Sequence, residues 1–373
     1  MTDPLWTPLS RRRFLRGAGS LALGAAALGP AGCGLTRAFG GDTARKIPAR
    51  PDGDLVYFNY SEYIEPSLLT GFEKRYGVKV RQSYFDSMPG MLSKMRAGNR
   101  YDVIFPTSDY VARMIRANLL LDLPRHRLHN ARALYGYFDD PPYDPASRHT
   151  VPYSVYCTGI CWRSDKVGGM TGSWNDLSNP QGKGKTFMLD DFEECVGEAN
   201  MLGGFDLNTT DAAQLAESKK ILLHQKQNLR GYTSNTIQAL TSGNAWIQHA
   251  WNGDVVNVRG QVDDPSVFRF QKCKEGIPVG NDTMAIPVNA EHPGTALLFI
   301  DWMLRPEHAA KNVEYIGYLM PNVGATKTFA ELVKDDPAID VTVRDLKHGT
   351  QWEDLGAEGT AEWNRVWTEV RAA

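Results

Sequence analysis

The sequence predicts an α/β protein with two lobes and a cleft between them. In the first third of the chain, short apolar runs alternate with amphipathic stretches of helical period, and the alternation resumes after Pro152. Such alternation indicates parallel βαβ units. About 340 residues remain after an N-terminal leader, which exceeds one simple core. Because open parallel sheets bind ligands beyond the carboxyl ends of their strands, we expect a binding site in the cleft.

The first series of elements begins with residues 55–58 (LVYF), which predict a strand. Pro66 lies in the first turn of a predicted helix that ends at Gly77, and this placement of Pro and Gly is typical of helix boundaries. The series continues with a strand from Val78, a helix at 91–95 and a strand at 102–105. These elements are the expected framework of one lobe.

The second series, after Pro152, predicts a lobe of similar size. Its predicted strands are residues 156–162, 185–190 and 283–287, and its predicted helices are residues 194–202, 212–225 and 292–304. We find neither an internal repeat nor a low-complexity segment that would indicate a solenoid or a disordered region.

The N-terminus carries an export signal. Residues 10–16 (SRRRFLR) match the twin-arginine pattern, and an apolar run follows at 21–28, interrupted by Gly24. The run is much shorter than the ~20 apolar residues that cross a bilayer, which argues against a transmembrane anchor. The sequence therefore predicts export by the twin-arginine route.

Cys33 ends a segment that resembles a bacterial lipobox, Leu28-Gly29-Pro30-Ala31-Gly32-Cys33. Pro30 departs from the pattern, which usually has Leu there. Two acyl chains on Cys33 would anchor the protein stably at a membrane surface. The alternative is that the cysteine is lost with the signal. After residues 1–33, residues 34–53 predict a flexible tether.

Charge and cysteine usage narrow the class of protein further. Cleavage before Cys33 leaves 37 basic and 42 acidic residues, a net charge of −5, and no basic patch indicates nucleic-acid binding. Cys157 and Cys161 would lie ~13 Å apart in a strand, too far for a disulfide. We expect these two, Cys195 and Cys273 to be buried thiols, with a disulfide of Cys195 or Cys273 left open.

Motifs of catalysis are missing from the sequence. It contains no His-Glu-x-x-His and no Gly-x-Ser-x-Gly. The triplet Gly184-Lys185-Thr186 resembles the end of a phosphate-binding loop, but Asn179 occupies the position of its first glycine. His126 and His129 are expected on a solvated loop. The sequence thus predicts a protein that is not an enzyme and has no cofactor or metal.

Six segments resemble the spermidine/putrescine-binding proteins of polyamine ABC importers, in the same order and at similar spacing. They are residues 57–64 (YFNYSEYI), 101–107 (YDVIFPT), 173–177 (SWNDL), 251–254 (WNGD), 282–287 (DTMAIP) and 316–318 (IGY). The resemblance covers residues 55–352. It implies a two-lobed, hinged periplasmic-binding-protein fold of type II, with 54–155 plus 281–326 as lobe 1 and 156–280 plus 327–373 as lobe 2. It also implies a monomer that delivers a polyamine to a membrane permease.

The resemblance places four carboxylates on the ligand's amines. They are Asp191, Glu194, Asp254 and Asp282. An ammonium has three donors and a full charge, so carboxylates are its natural partners. Each residue also has a structural interpretation: Asp191 and Glu194 have the spacing of a capping box, Asp254 of a helix cap, and Asp282 of a solvated turn before a strand.

Aromatic and hydroxyl side chains complete the site that the resemblance implies. Tyr60, Tyr63, Trp251 and Tyr318 would wall the methylene groups, and Ser61, Thr107 and Ser234 would hydrogen-bond the ligand. Packing in a strand is the alternative role for the tyrosines.

Several positions depart from the family pattern. Asp109 stands where an aromatic is frequent, Tyr60 where Trp is common, and Gly280 and Asn281 replace an aromatic-rich pair; Gln351 or Trp352 falls where a glutamine contact is expected. These changes predict a less walled, more acidic pocket with room for a bulkier or more highly charged cation. Ferric iron, thiamine or an opine-like amine remain alternative ligands. An exported enzyme or a sensor subunit is the alternative class.

Overall fold

Residues 41–373 are described by the computed structural model, in which two β-sheets flanked by helices are joined through shared strands. The strands are β1 Leu55–Asn59, β2 Val80–Tyr84, β3 Val103–Ile104, β4 Thr150–Arg163, β5 Thr186–Met188, β6 Leu229–Tyr232, β7 Ile247–Trp251, β8 Phe268–Gln271, β9 Pro278–Ala285 and β10 Thr350–Gln351. Their order is β2-β1-β3-β9-β4-β7-β5-β6, with β10 beside β9 and β8 beside β4.

Twelve α-helices cover the sheets of the described chain. They are α1 Pro66–Tyr76, α2 Met88–Arg96, α3 Ser108–Arg116, α4 Phe192–Leu202, α5 Ala212–Lys226, α6 Thr236–Thr241, α7 Asn252–Gly260, α8 Pro293–Met303, α9 Pro306–Ile316, α10 Val323–Val333, α11 Val343–His348 and α12 Gly356–Ala372. Between residues 41 and 373, none of the helices combines the length and the apolar character needed to span a bilayer.

The long strand β4 divides the fold into two lobes. Its first half pairs with β9, and its second half pairs with β7 and β8. We call the part around β1, β2, β3 and β9 the first lobe, and the part around β5 to β8 the second lobe. The outer pairs are parallel, as predicted, but the central pairs with β4 and β9 are antiparallel because these two strands cross between the lobes in opposite directions. The lobe boundaries that the sequence predicts fall within β4, β9 and α10, and they stay a prediction.

Capping and turn residues in the sequence predicted the ends of several elements. Helix α1 begins after Glu65, whose carboxylate accepts a hydrogen bond from the Leu68 N–H at 3.1 Å, and it ends at Gly77 in the left-handed conformation. The second lobe has a separate apolar core around Trp174 and Trp363, both fully buried. The α/β prediction for each lobe is therefore confirmed.

Two local assignments were wrong. Asp282 does not precede a strand but lies inside β9, opposite Ser154 of β4. Tyr60 and Tyr63 follow β1 in a turn rather than alternating within a strand. The start of β9 was missed because its pairing with β4 joins residues more than 120 positions apart, which no local pattern reports.

Residues 45–53, which were predicted to be part of a flexible tether, pack against the first lobe. The Arg127 guanidinium donates hydrogen bonds to the carbonyl oxygens of Ile47, at 2.8 Å, and Pro48, at 2.6 Å, and the Ile47 side chain is buried. The Asp52 carboxylate accepts from the backbone of Thr295 at 2.9 Å, at the start of α8. The twin-arginine segment and Cys33 lie outside the described residues.

The four cysteines of the described chain are buried and free, as expected. Burial raises the pKa of the Cys157 thiol to about 12, so the thiol stays protonated at neutral pH. Neither Cys195 nor Cys273 forms a disulfide in the described part of this structure.

A candidate ligand-binding cleft

Asp282 is held by hydroxyl groups where β9 crosses between the lobes. Its Oδ2 atom accepts hydrogen bonds from the Tyr63 hydroxyl and the Ser154 hydroxyl, each at 2.8 Å. Thr107, at the N-cap of α3, lies opposite Asp282 in an isolated β-bridge. Burial raises the pKa of Asp282 to about 6 although both hydroxyls lower it, so the carboxylate is largely ionised at neutral pH.

Asp254 is held by Tyr318 in the first turn of α7. The Tyr318 hydroxyl donates a hydrogen bond to Asp254 Oδ1 at 2.7 Å. A Cβ atom at Gly253 would overlap the Tyr318 ring, so the glycine of Trp-Asn-Gly-Asp lets the tyrosine approach the helix. Burial raises the pKa of Asp254 to about 6, against the effect of Tyr318. The Trp-Asn-Gly-Asp and Ile-Gly-Tyr segments therefore meet at one place.

A row of aromatic rings connects these two carboxylates. The Tyr63 ring stands edge-on to the Tyr318 ring, with centroids 5.6 Å apart, and to the Tyr60 ring, with centroids 5.9 Å apart. Nearby carboxylates add to the effect of burial in raising the pKa of the Tyr60 hydroxyl, Asp282 first among them. Tyr60, Tyr63 and Tyr318 thus form a tyrosine wall, in which Tyr63 donates to Asp282 and Tyr318 donates to Asp254.

Glu194 reaches across to Trp251 instead of capping its own helix. The Trp251 Nε1–H donates to Glu194 Oε1 at 2.7 Å, and the Thr158 hydroxyl donates to the same atom at 3.1 Å. The second oxygen, Oε2, is buried without a hydrogen bond, 3.9 Å from Nε2 of the fully buried His249. Burial, followed by the charge of Asp191, raises the pKa of Glu194 to about 8. The protonated, neutral form of Glu194 is therefore favoured at pH 7.

Asp191 does cap α4, as the structural interpretation predicted. Its Oδ1 atom accepts from the N–H groups of Glu193 at 2.9 Å and Glu194 at 3.1 Å. Asp109, in the first turn of α3 on the other lobe, is 7% exposed. Burial raises the pKa of Asp109, and the neighbouring charge of Asp191 raises it further. Carboxylates of both lobes thus face each other across the cleft.

Two residues of this region were missed by the sequence reasoning. Burial and then the charges of Asp109 and Asp191 raise the pKa of Glu193 well above its usual range. The pKa of the Tyr156 hydroxyl is raised by burial and by three of the acids, Asp282 first. A Cβ atom at Gly280 would come within 2.5 Å of the Tyr156 ring. The Tyr156 ring therefore occupies the space that an aromatic at position 280 would fill.

Within residues 41–373, three contacts that the resemblance implies are not seen among the buried residues of the site: those of Ser61, of Ser234 and of Gln351 or Trp352. Ser61 and Ser234 are exposed, unlike the buried acids Asp282 and Glu194. The Gln351 side-chain amide donates to the Leu346 carbonyl at 3.0 Å, and Trp352 packs on the second lobe's core. Roles for Ser61 and Ser234 in ligand binding stay predictions.

The clustered acids are not arranged as a metal site. Within the part of the chain that the structure describes, no three His, Cys, Asp or Glu side chains are grouped closely enough to hold a metal ion. The carboxylates are instead held separately: Asp282 and Asp254 accept from different tyrosines, and Glu194 accepts from Trp251 and Thr158. Such spacing suits several positive groups on one elongated molecule better than one compact ion.

The fold and this cleft define a solute-binding protein with two lobes. Residues 67–341 match the family of bacterial extracellular solute-binding proteins, and because the match covers most of the chain, the chain belongs to that family.

Among known relatives, a spermidine/putrescine-binding periplasmic protein of Escherichia coli is 30% identical over 313 residues, covering 83% of this chain and 89% of that protein. A putrescine/cadaverine-binding protein of Pseudomonas aeruginosa is 28% identical over 329 residues, covering 85% and 93%. A crystal structure of a spermidine/putrescine ABC transporter substrate-binding protein from Streptococcus pneumoniae has a TM-score of 0.75 at 26% identity, covering 86% of this chain and 99% of that one.

Proposed function

We propose that this chain is the extracytoplasmic subunit of an ABC importer, which captures a polyamine in the cleft between its lobes and delivers it to the permease. The observation that supports the proposal most directly is the meeting of acids from both lobes along one tyrosine wall. The relatives named above bind spermidine, putrescine or cadaverine, which have the chemistry that this wall suits.

The proposed ligand contacts follow from the geometry. Asp282 and Asp254, each already holding one or more hydroxyl donors, keep free lone pairs for an ammonium group. Tyr60, Tyr63 and Tyr318 would flank the methylene groups, with Trp251 oriented by its bond to Glu194. An ion pair at ~4 Å is worth ~4 kcal/mol at an effective dielectric near 20, so two pairs supply about 8 kcal/mol before the cost of association is subtracted. Burial of the methylene groups against the aromatic rings offsets that cost, which leaves an affinity near micromolar, about −8 kcal/mol.

The binding protein acts without catalysis and as a monomer in this proposal. A ligand that bridges acids of both lobes binds the closed arrangement better than the open one, and so it shifts the population toward the closed form. The permease then distinguishes loaded from empty protein by shape. Asp109, Asp191 and Glu194 supply further negative charge for the ligand's amines, with Thr107, Ser61 and Ser234 as hydrogen-bonding groups.

We further propose export by the twin-arginine route and a lipid anchor at Cys33. Support comes from residues 10–16 and from the lipobox-like segment that ends at Cys33. Fractionation of cells that express the full chain tests the anchor: the protein should pellet with membranes, and Cys33→Ala should release it. Equal partition of both proteins into the soluble fraction would contradict the anchor.

Isothermal titration calorimetry of the purified mature chain tests the ligand. Putrescine, cadaverine, spermidine, spermine and agmatine should be titrated separately, and at least one should bind with a dissociation constant of about 1 μM or lower. The absence of heat with all five, together with saturable binding of a solute without amines, would overturn the polyamine assignment.

A further inference from the structure

An ion pair joins helix α3 to the segment that leads into α12. Arg113, on α3, places Nη2 3.1 Å and Nε 3.3 Å from Oδ1 of Asp354, and Arg116 approaches the other oxygen of the same carboxylate. The Asp354 side chain is only 4% exposed, whereas Arg113 is 29% exposed. Asp354 is therefore enclosed by two guanidinium groups rather than by water.

The two ends of this pair belong to different lobes. Helix α3 follows β3 of the first sheet and packs against β9, whereas α12 packs against α4 and α5 of the second lobe. The Arg113 guanidinium also lies 3.4 Å from the Thr360 hydroxyl, inside α12. The contact thus spans the opening between the lobes and joins residues 241 positions apart.

The acids that repel each other across the cleft lie on α3 and at the start of α4, on which α12 packs. Asp109 lies one turn before Arg113 on α3, and α12 packs on α4, whose first turn holds Asp191 and Glu193. Without a cation between them, these carboxylates resist closure. The positive charge of Arg113 counters this repulsion, since it lowers the pKa of both Asp109 and Glu193 against the effect of burial.

We propose that Arg113, Arg116 and Asp354 form an interlobe clasp that sets how long the closed, loaded state lasts. These residues are positioning residues: they hold Asp109 and Asp191 at the spacing that a ligand needs, and they are not ligand contacts themselves. The choice of ligand rests on the proposed function. In the open state water hydrates Asp354, so loss of the pair penalises the closed state alone, and a partner left unpaired in the closed state is costly.

Stopped-flow binding and equilibrium titration with spermidine and putrescine test the clasp in Asp354→Asn, Arg113→Gln and the double variant. The dissociation rate should rise about tenfold or more while the association rate stays within about twofold, because the pair forms after encounter. The loss in the double variant should be smaller than the sum of the two single losses, since the Arg113–Asp354 pair is lost only once. Thermal unfolding of the ligand-free variants should match the wild type within a few degrees.

Glu291→Gln is the matched control. It removes the ion pair between Arg100 and Glu291, 2.8 Å long, whose side chains are both exposed. This variant should leave both rates unchanged. Unchanged dissociation in Asp354→Asn, additive losses in the double variant, or an equal loss of stability with and without ligand would each overturn the clasp.

The experiments distinguish an error in the proposed function from an error in the proposed clasp. If the wild type binds no polyamine, the proposed ligand is wrong, and the rates are then measured with the solute that calorimetry shows to bind. With that solute, Asp354→Asn should again dissociate faster than the wild type and Glu291→Gln. If the wild type binds but the variants dissociate at its rate, only the clasp is wrong.

Discussion

The carboxylates of the cleft differ in how much of their hydrogen-bonding capacity is already used. Asp282 accepts from two hydroxyls on one oxygen, Asp254 accepts from one hydroxyl, and Glu194 has one oxygen bound and the other free and buried. Burial favours the neutral form of all three acids. The pKa of Glu194, about 8, lies above the values of about 6 for the two aspartates, because the charge of Asp191 adds to the effect of burial.

Replacement of Asp282 tests whether its charge contributes to polyamine binding. Asp282→Asn keeps an oxygen that accepts from Tyr63 and Ser154 but removes the charge, so we expect a loss of about 2–5 kcal/mol in polyamine binding with the fold retained. Asp335→Asn, at an exposed position just after α10, is the matched control and should bind as the wild type does. Calorimetry measures both, and equal affinity of the two variants would contradict the role of Asp282.

Glu194 should release a proton when an amine binds. Its pKa of about 8 favours the protonated form at pH 7, and an ammonium beside it favours the carboxylate. Calorimetry at pH 7 in two buffers of different ionisation enthalpy should show proton release by the wild type and much less by Glu194→Gln.

Glu198→Gln is the control for this measurement. Glu198 is fully buried with a pKa of about 8, and it accepts a hydrogen bond from Gln225 rather than from a residue of the tyrosine wall. The variant should release as many protons as the wild type. Proton release that depends on Glu198 and not on Glu194 would contradict the placement of the amine.

Among the elements, the start of α4 serves both the fold and the site. Asp191 caps the helix with its carboxylate, and Glu193 and Glu194 occupy the first turn. The positive end of a helix opposes a bound cation with roughly half a charge. Several carboxylates at the same end outweigh that half charge, and the helix end in turn stabilises their ionised forms.

Asp191→Ser separates these two roles. Serine caps a helix about as well as aspartate, so thermal unfolding should change little, whereas loss of the charge should weaken polyamine binding by about 1–2 kcal/mol. Asp211→Ser is the control, because Asp211 caps α5 through the Gln214 N–H at 2.9 Å and is not among the predicted site residues. Weaker binding in both variants, or in neither, would show that the charge of Asp191 plays no part.

At the scale of the whole molecule, the cleft couples stability to pH and to ligand. The folded-state pKa values of Glu194, Asp254 and Asp282 lie above the usual values near 4, so the folded protein binds more protons than the unfolded chain between about pH 4 and 8. Their contribution to the free energy of unfolding is therefore present at low pH and is lost as pH rises through about 6 to 8.

A bound polyamine should replace those protons. We expect the rise in melting temperature on adding spermidine to be larger at about pH 8 than at about pH 5, because only ionised acids bind the cation. Scanning calorimetry of the wild type beside a variant with Glu194→Gln, Asp254→Asn and Asp282→Asn isolates the cleft from other titrating groups. A ligand-induced shift in the wild type that is the same at both pH values would contradict this coupling.

The sequence by itself determined the features that neighbours along the chain control. Pro66 and Gly77 bound α1, Asp191 caps α4, and the spaced segments identified the family, because caps, turns and apolar periods depend on a few consecutive residues.

Only the tertiary structure decided what lies beside what. The sequence could not give the burial of Asp282 inside β9 or the replacement of an aromatic at Gly280 by Tyr156. It also could not give the bond from Arg113 to Asp354 across the lobes. Each of these contacts joins residues more than 100 positions apart, and burial and charge at such contacts are set by the pairing of β4 with β9 and by the closure of the lobes.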